Sequence, residues 1–407
     1  MSSRGLHKYP WSELSLIILF SMVWAQDYLR FVAQVFHIIP GVRLLAPSVI
    51  PLAFIVCILS SLKITQRQIR LSDLLFVGAY VLVYGCTFVL FPQNVLGLSK
   101  YAFTFLVTVL PCFLLGVSVD INERIIKILN WVSIVCVFIF YIYYILRASS
   151  SLANEVEEGT DFLTIAYQLL PHIMMVIWRS FQTKSLINIG TSIIGVLGLV
   201  SLGNRGSIVC LLLFILLYFL IGKTYRNPIK GRIISASIIL VPVLLLDVIL
   251  EGMRNFTISK GMSTRVFDYF EAGAMVGYEY SSNRDYLAER AIREITRNPL
   301  GIGIQGSTSI GIEYTHNILL DIFLEYGFIV GGILLIAIVY LFIKGFRMCK
   351  DETSRVFGLL IICGGFVHLL FSHTYLTSWM LFFSFGFFLR VIRKGKNKRY
   401  AFTANVA

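Results

Sequence analysis

The stretch LSDLLFVGAYVLVYGCTFVLF, Leu71–Phe91, holds a single charged residue, Asp73, in 21 positions. A bilayer core takes about 20 consecutive apolar residues per helix. Comparable runs recur at Tyr101–Val119 and Ile125–Leu146. They are continuous rather than alternating, so they predict membrane helices and not the strands of a barrel. The 407 residues are 57% hydrophobic and 14% charged, well below the roughly 25% charged residues of a soluble domain.

Working outward, about twelve spans are predicted, near 11–25, 46–62, 71–91, 101–119, 125–146, 162–178, 185–202, 207–222, 233–250, 327–343, 355–371 and 375–390. The expected fold is an all-α polytopic membrane helical bundle with a large periplasmic loop that contains helices. The expected organisation is an N-terminal bundle over 1–250, a catalytic loop over 251–326, and C-terminal helices with a basic tail over 327–407. The first apolar stretch has no small-residue cleavage site and reads as a retained span.

The net charge of +13 could suggest nucleic acid. In a membrane chain, excess Lys and Arg mark cytoplasmic loops instead. Loops near Lys63–Arg70, Arg179–Lys184, Lys223–Arg232, Lys344–Arg355 and Arg390–Arg399 hold most of the 35 basic residues. This predicts both termini on the cytoplasmic side, and no nucleic acid partner. The acidic Asn154–Asp161 segment then lies outside. The seven cysteines form no CxxC pair and none lies in the large loop, so neither a structural disulfide nor a thiolate metal site is expected.

The connection Glu251–Tyr314 is the outlier in length, and long loops tend to be functional. Ser282 or Asn283 can cap a helix over Asp285–Asn298, where Leu287, Ala291 and Ile295 recur every four residues. Asn298-Pro299 ends it. Gly301-Ile302-Gly303-Ile304-Gln305-Gly306 then matches GxGxxG. A dinucleotide site needs that motif between a strand and a helix. Here it follows a helix and a proline, so a tight turn that needs small residues is the better reading.

Arg205 lies in a short outer turn, Leu202-Gly203-Asn204-Arg205-Gly206-Ser207. It either snorkels to the headgroups or clamps an anion, since the guanidinium fork suits phosphate oxygens. Arg284 opens the loop helix, either paired with a nearby acid such as Asp285 or placed at an anion-favouring helix N-terminus. His316 is the histidine at the edge of the loop, and it either packs structurally or titrates near neutrality. His368 and His373 are five apart and would share a helix face poorly. Asp321 and Glu325 are four apart, share a face, and would pair with loop arginines or line a wet cavity. Gly327 and Gly331 form GxxxG, most simply a packing contact.

Three runs in order, Arg297-Asn298-Pro299-Leu300-Gly301-Ile302-Gly303, Thr315-His316-Asn317-Ile318-Leu319-Leu320-Asp321 and Glu325-Tyr326-Gly327-Phe328-Ile329-Val330-Gly331, resemble the "NPLxGxG", "HNxxL" and "ExGxxG" stretches of the O-antigen polymerase and O-antigen ligase superfamily. Asn204-Arg205-Gly206 resembles its earlier Ser-Arg-Gly-like turn, with Asn204 where Ser is frequent. The resemblance covers roughly residues 200–335; before that only the span pattern is similar. It implies a bacterial inner-membrane glycosyltransferase that uses undecaprenyl-diphosphate-linked oligosaccharide, with no metal or other cofactor. Arg205 and Arg284 would bind the diphosphate, and His316 would act as base or orient the acceptor. Asn317, Asp321 and Glu325 are further expected substrate-binding residues. The expected partners are the lipid-linked oligosaccharide, membrane lipid and a chain-length regulator protein. The resemblance leaves two activities open: a polymerase of O-antigen, capsular or exopolysaccharide repeat units, and a ligase onto lipid A–core. A transporter or flippase is the reading from a different class. It is disfavoured because no internal repeat is seen and charge gathers at the outer face.

Overall fold

The computed structural model describes residues 12–21, 71–149, 162–202, 204–222, a few positions between 251 and 259, and 284–404. The expected spans near 46–62 and 233–250, the acidic Asn154–Asp161 segment and the capping positions Ser282 and Asn283 lie outside the described residues.

The described chain is helical throughout its regular elements, as the continuous apolar runs require. It begins with α1 (Ser12–Ser21) and α2 (Leu71–Leu90). Pro92 then opens α3 (Pro92–Ser118), which starts as a 3-10 turn and passes through a π turn at Phe105–Val109. The sequence suggested a helix from Tyr101. It starts earlier because Pro92, which lacks an N–H, suits the first turn of a helix. Next come α4 (Glu123–Ser149), α5 (Phe162–Thr183), α6 (Leu186–Ser201) and α7 (Arg205–Leu217). The loop helix is α8 (Arg284–Arg297), followed by α9 (Ile318–Met348), α10 (Glu352–Ile362) and α11 (Trp379–Ala404). Pro92–Ser118, Glu123–Ile142, Ile318–Met348 and Glu352–Leu370 are long and apolar enough to cross a membrane. The architecture is that of an all-α membrane bundle.

Two ends of the bundle can be told apart by their charges. At one end Asp120 pairs with Arg390 and Lys394, and Glu123 pairs with Arg179 at 2.7 Å. These residues come from segments that the charge pattern assigned to one side. Between the ends, α3 and α11 press together at Gly116 and Gly386. A Cβ on Gly116 would stand 2.8 Å from the Phe387 nitrogen and 3.1 Å from the Gly386 Cα. Small residues let helix backbones approach this closely in a membrane, where packing rather than water exclusion drives association.

α9 departs most from expectation. A span was expected over 327–343, yet the helix begins at Ile318. The Asn317 side chain caps it, accepting from the Leu319 and Leu320 N–H groups at 2.9 and 3.4 Å. The same helix breaks at Gly327, whose φ of 71° and ψ of −178° lie in a region essentially reserved for glycine. The helix thus runs past position 326, with its kink at the start of the expected span.

Candidate active site

The loop helix α8 forms where the sequence placed it. Ala291 and Ile295 are buried and pack with Leu324, Ile302, Leu320 and Phe323, so the apolar stripe faces α9. After Pro299 the chain does not fold back as a helix. It turns at Pro299-Leu300 and docks along the break in α9. The Ile302 and Gly303 N–H groups donate to the Leu324 and Glu325 carbonyls at 2.9 and 3.0 Å, and Phe328 N–H donates to the Pro299 carbonyl at 3.0 Å. These are backbone groups that a continuous helix would have spent on itself, so the kink and the loop satisfy each other. Gly301 (φ 87°) and Gly327 are the point of closest approach. A Cβ on Gly301 would lie 2.5 Å from the Glu325 carbonyl oxygen and 2.6 Å from the Gly327 nitrogen. Asn94 adds a side-chain N–H to the Ile302 carbonyl at 2.9 Å.

The two acidic residues of α9 turn inward and not toward loop arginines. Asp321 is buried, and its Oδ1 accepts from the Thr315 N–H at 2.8 Å and the Thr315 hydroxyl at 2.7 Å. Glu325 is buried and accepts from the Gln305 N–H at 2.9 Å and from the Tyr375 hydroxyl. The Tyr375 and Tyr326 hydroxyls are hydrogen-bonded at 3.0 Å. Among the described residues, neither carboxylate pairs with a loop arginine. Backbone N–H and hydroxyl donors reach both oxygens of Glu325 and Oδ1 of Asp321 without desolvating a guanidinium, while Asp321 Oδ2 is buried with no hydrogen-bond partner among the described residues.

This pinning sets His316. The residue follows Thr315 and precedes the cap Asn317, and it adopts a left-handed backbone (φ 60°). Its ring packs on Tyr314, centroid to centroid 4.4 Å. On another side of Tyr314 stands His373, at 6.4 Å and also left-handed (φ 68°). His373 lies 6.1 Å from His368, which lies 4.4 Å from Tyr167. A row of rings thus runs from His316 to Tyr167.

That row ends at the turn that carries Arg205. Asn204 caps α7, its side chain accepting from the Ser207 N–H at 3.2 Å. Gly206 is overlain by Tyr167 and Phe371. A Cβ there would collide with the Tyr167 hydroxyl and come 2.7 Å from the Phe371 Cβ. Arg284 Nη1 donates to the Phe371 carbonyl at 2.7 Å. Gly206, next to Arg205, and Arg284 therefore both approach Phe371 across a long stretch of sequence, and both arginine residues are half-buried. Arg284 takes this carbonyl as a partner, where the sequence left open a nearby acid such as Asp285 or an anion at the helix N-terminus.

The segment His368–Ser378 joins these parts, and it was not among the site residues expected from the sequence. Under α-helical spacing His368 and His373 diverge. The chain here passes from a π turn into 3-10 turns with a left-handed residue between, and that geometry brings the two rings together. The available signal was the polar run Ser372-His373-Thr374 between two apolar spans.

The described residues include no cluster of His, Cys, Asp and Glu able to hold a metal ion. The chain matches no curated protein and no solved structure. Residues 190–336 contain the Arg205 turn, the loop helix, the docked glycine segment and His316, and this stretch matches the family model described as O-antigen ligase, in support of the resemblance read from the three sequence runs.

Proposed function

We propose that this protein is a polymerase of O-antigen, capsular or exopolysaccharide repeat units, acting on undecaprenyl-diphosphate-linked oligosaccharide at the periplasmic face. The observation that carries the reading is the approach of Arg284 and of Gly206, next to Arg205, to the same residue, Phe371, with His316 linked to that turn by a row of rings. A lipid diphosphate is already a good leaving group. The protein need only neutralise the charge that develops on it, hold the acceptor in line and accept a proton. Two arginines supply planar, permanently charged donors for phosphate oxygens. A histidine supplies a base that titrates near neutrality. Direct displacement inverts the anomeric centre. No metal is required by this scheme.

Asn317, Asp321 and Glu325 enter this reading as the groups that shape the site around substrate: the cap of α9 and the two inward carboxylates hold the His316 segment and the glycine loop in place. The description of the matched family favours a second activity, ligation of finished glycan to lipid A–core. A glycan profile of a strain lacking the protein separates the two. Single repeat units on lipid A–core support the polymerase. Bare core with accumulated lipid-linked polymer supports the ligase. An unchanged profile would defeat both.

A further inference from the structure

A cavity of about 180 Å³ opens beside the Arg284 anchor, between α5 and the His368–Ser378 segment. Its wall includes Tyr167, Gln168, Ser372, His373, Thr377 and Trp379. The last five of these line it and are only partly buried. The combination of aromatic faces with short hydroxyl and amide groups suits a sugar ring, which offers C–H faces and many hydroxyls. The volume is below the roughly 300–1,000 Å³ of sites for drug-sized ligands, so it holds one small unit and not a chain.

Two features mark the cavity as more than a packing gap. His373 holds a left-handed backbone at its rim, and its Nε2 is hydrogen-bonded to the Thr377 hydroxyl at 2.9 Å. Non-glycine residues held in that region cluster at ligand sites. The cavity also lies between the two halves of the proposed machinery. Tyr167 on its wall presses on Gly206 beside Arg205, and Ser372 follows the residue that anchors Arg284. His373 on its wall also packs on Tyr314, against which His316 lies.

We propose that this cavity receives the sugar bonded directly to the diphosphate of the lipid-linked donor. The inference rests on the functional reading above. In that placement the anomeric carbon stands between the arginines and His316. The acceptor hydroxyl forms the new C1–O bond as the C1–O bond to the diphosphate breaks. The bonding pair leaves with the diphosphate, whose charge the arginines meet, and the acceptor's proton passes to the His316 imidazole. Gln168, His373 and Thr377 are the residues that recognise the ring.

The test uses the full chain in nanodiscs and two probes: sugar-free undecaprenyl diphosphate, and the lipid-linked glycan pool extracted from a strain lacking the protein. Gln168→Ala, Thr377→Ala and His373→Asn are compared, asparagine being tolerant of the left-handed backbone. The expected result is about a tenfold weaker apparent affinity for the glycan pool per lost hydrogen bond, with binding of undecaprenyl diphosphate unchanged. That retained binding also shows that each variant is folded. Unchanged affinity for the glycan pool in all three would overturn the subsite while leaving the diphosphate reading intact. So would equal weakening for both probes, because a sugar subsite cannot act on a ligand that carries no sugar. Failure of Arg205→Ala and Arg284→Ala to weaken undecaprenyl diphosphate would instead refute the functional reading itself.

Discussion

Replacing Asp321 with alanine tests whether the position of His316 is imposed by its neighbours. Asp321 Oδ1 accepts two hydrogen bonds from Thr315, at 2.8 and 2.7 Å, and Thr315 is itself buried. Hydrogen bonds to a charged group contribute about 1.5–3 kcal/mol each, and an abandoned buried donor costs about 1–3 kcal/mol more. The substitution therefore removes on the order of 3 kcal/mol or more of restraint from Thr315. The left-handed backbone of His316 stores about 1–3 kcal/mol. Once the restraint is gone, that strain drives the residue back to an ordinary conformation. At about 1.4 kcal/mol per factor of ten, the competent population falls by about 10- to 100-fold. The expected outcome in proteoliposomes supplied with lipid-linked repeat units is a fall in kcat of that size. KM for the donor, whose binding the proposed function assigns to Arg205 and Arg284, should stay within about twofold by the same conversion. Asp321→Asn retains an acceptor oxygen and should lose less. A kcat for Asp321→Ala within about twofold of the parent would show that His316 does not depend on this pin.

Three further outcomes are expected. Arg205→Ala, Arg284→Ala and His316→Ala should each abolish chain extension while the protein still inserts, read from membrane-fraction blots beside polymer length; normal polymer in all three would end the proposed mechanism. Gly327→Ala should lower the thermal unfolding temperature in detergent and reduce transfer, because a Cβ at φ 71° collides with the Leu300 backbone; a variant as stable as the parent would mean that the loop is not docked there. Treatment with a chelator should leave transfer from purified lipid-linked donor unchanged, and loss of activity restored by a divalent ion would contradict a site built on arginines alone.

Much of the fold could be read from single segments. Leu71–Phe91 becomes a helix because nothing else satisfies its backbone in an apolar phase. The loop helix was legible because Ala291 and Ile295 repeat on one face and Pro299 follows. What could not be read was pairing at a distance. Gly301 and Gly327 each look like a small residue in a motif, and only their mutual contact explains both. Asp321 and Glu325 share a face, as their spacing demands, but their partners Thr315, Gln305 and Tyr375 come from segments whose approach depends on the kink. The His368–Ser378 segment escaped for a different reason: helical periodicity misplaces side chains wherever the chain leaves the α-helix.

The docking of Pro299–Gly303 on the break in α9 has a bearing on chimeric proteins. Exchanging the extramembrane loop between related chains is a natural route to new glycan specificity. Here the loop and the last part of α9 before Phe328 share their backbone hydrogen bonds, and each requires a glycine on the other. A graft that stops at the apparent membrane border would separate Gly301 from the Gly327 it was shaped against. The transplantable cassette extends from α8 through Phe328, and its proper boundary lies inside a helix.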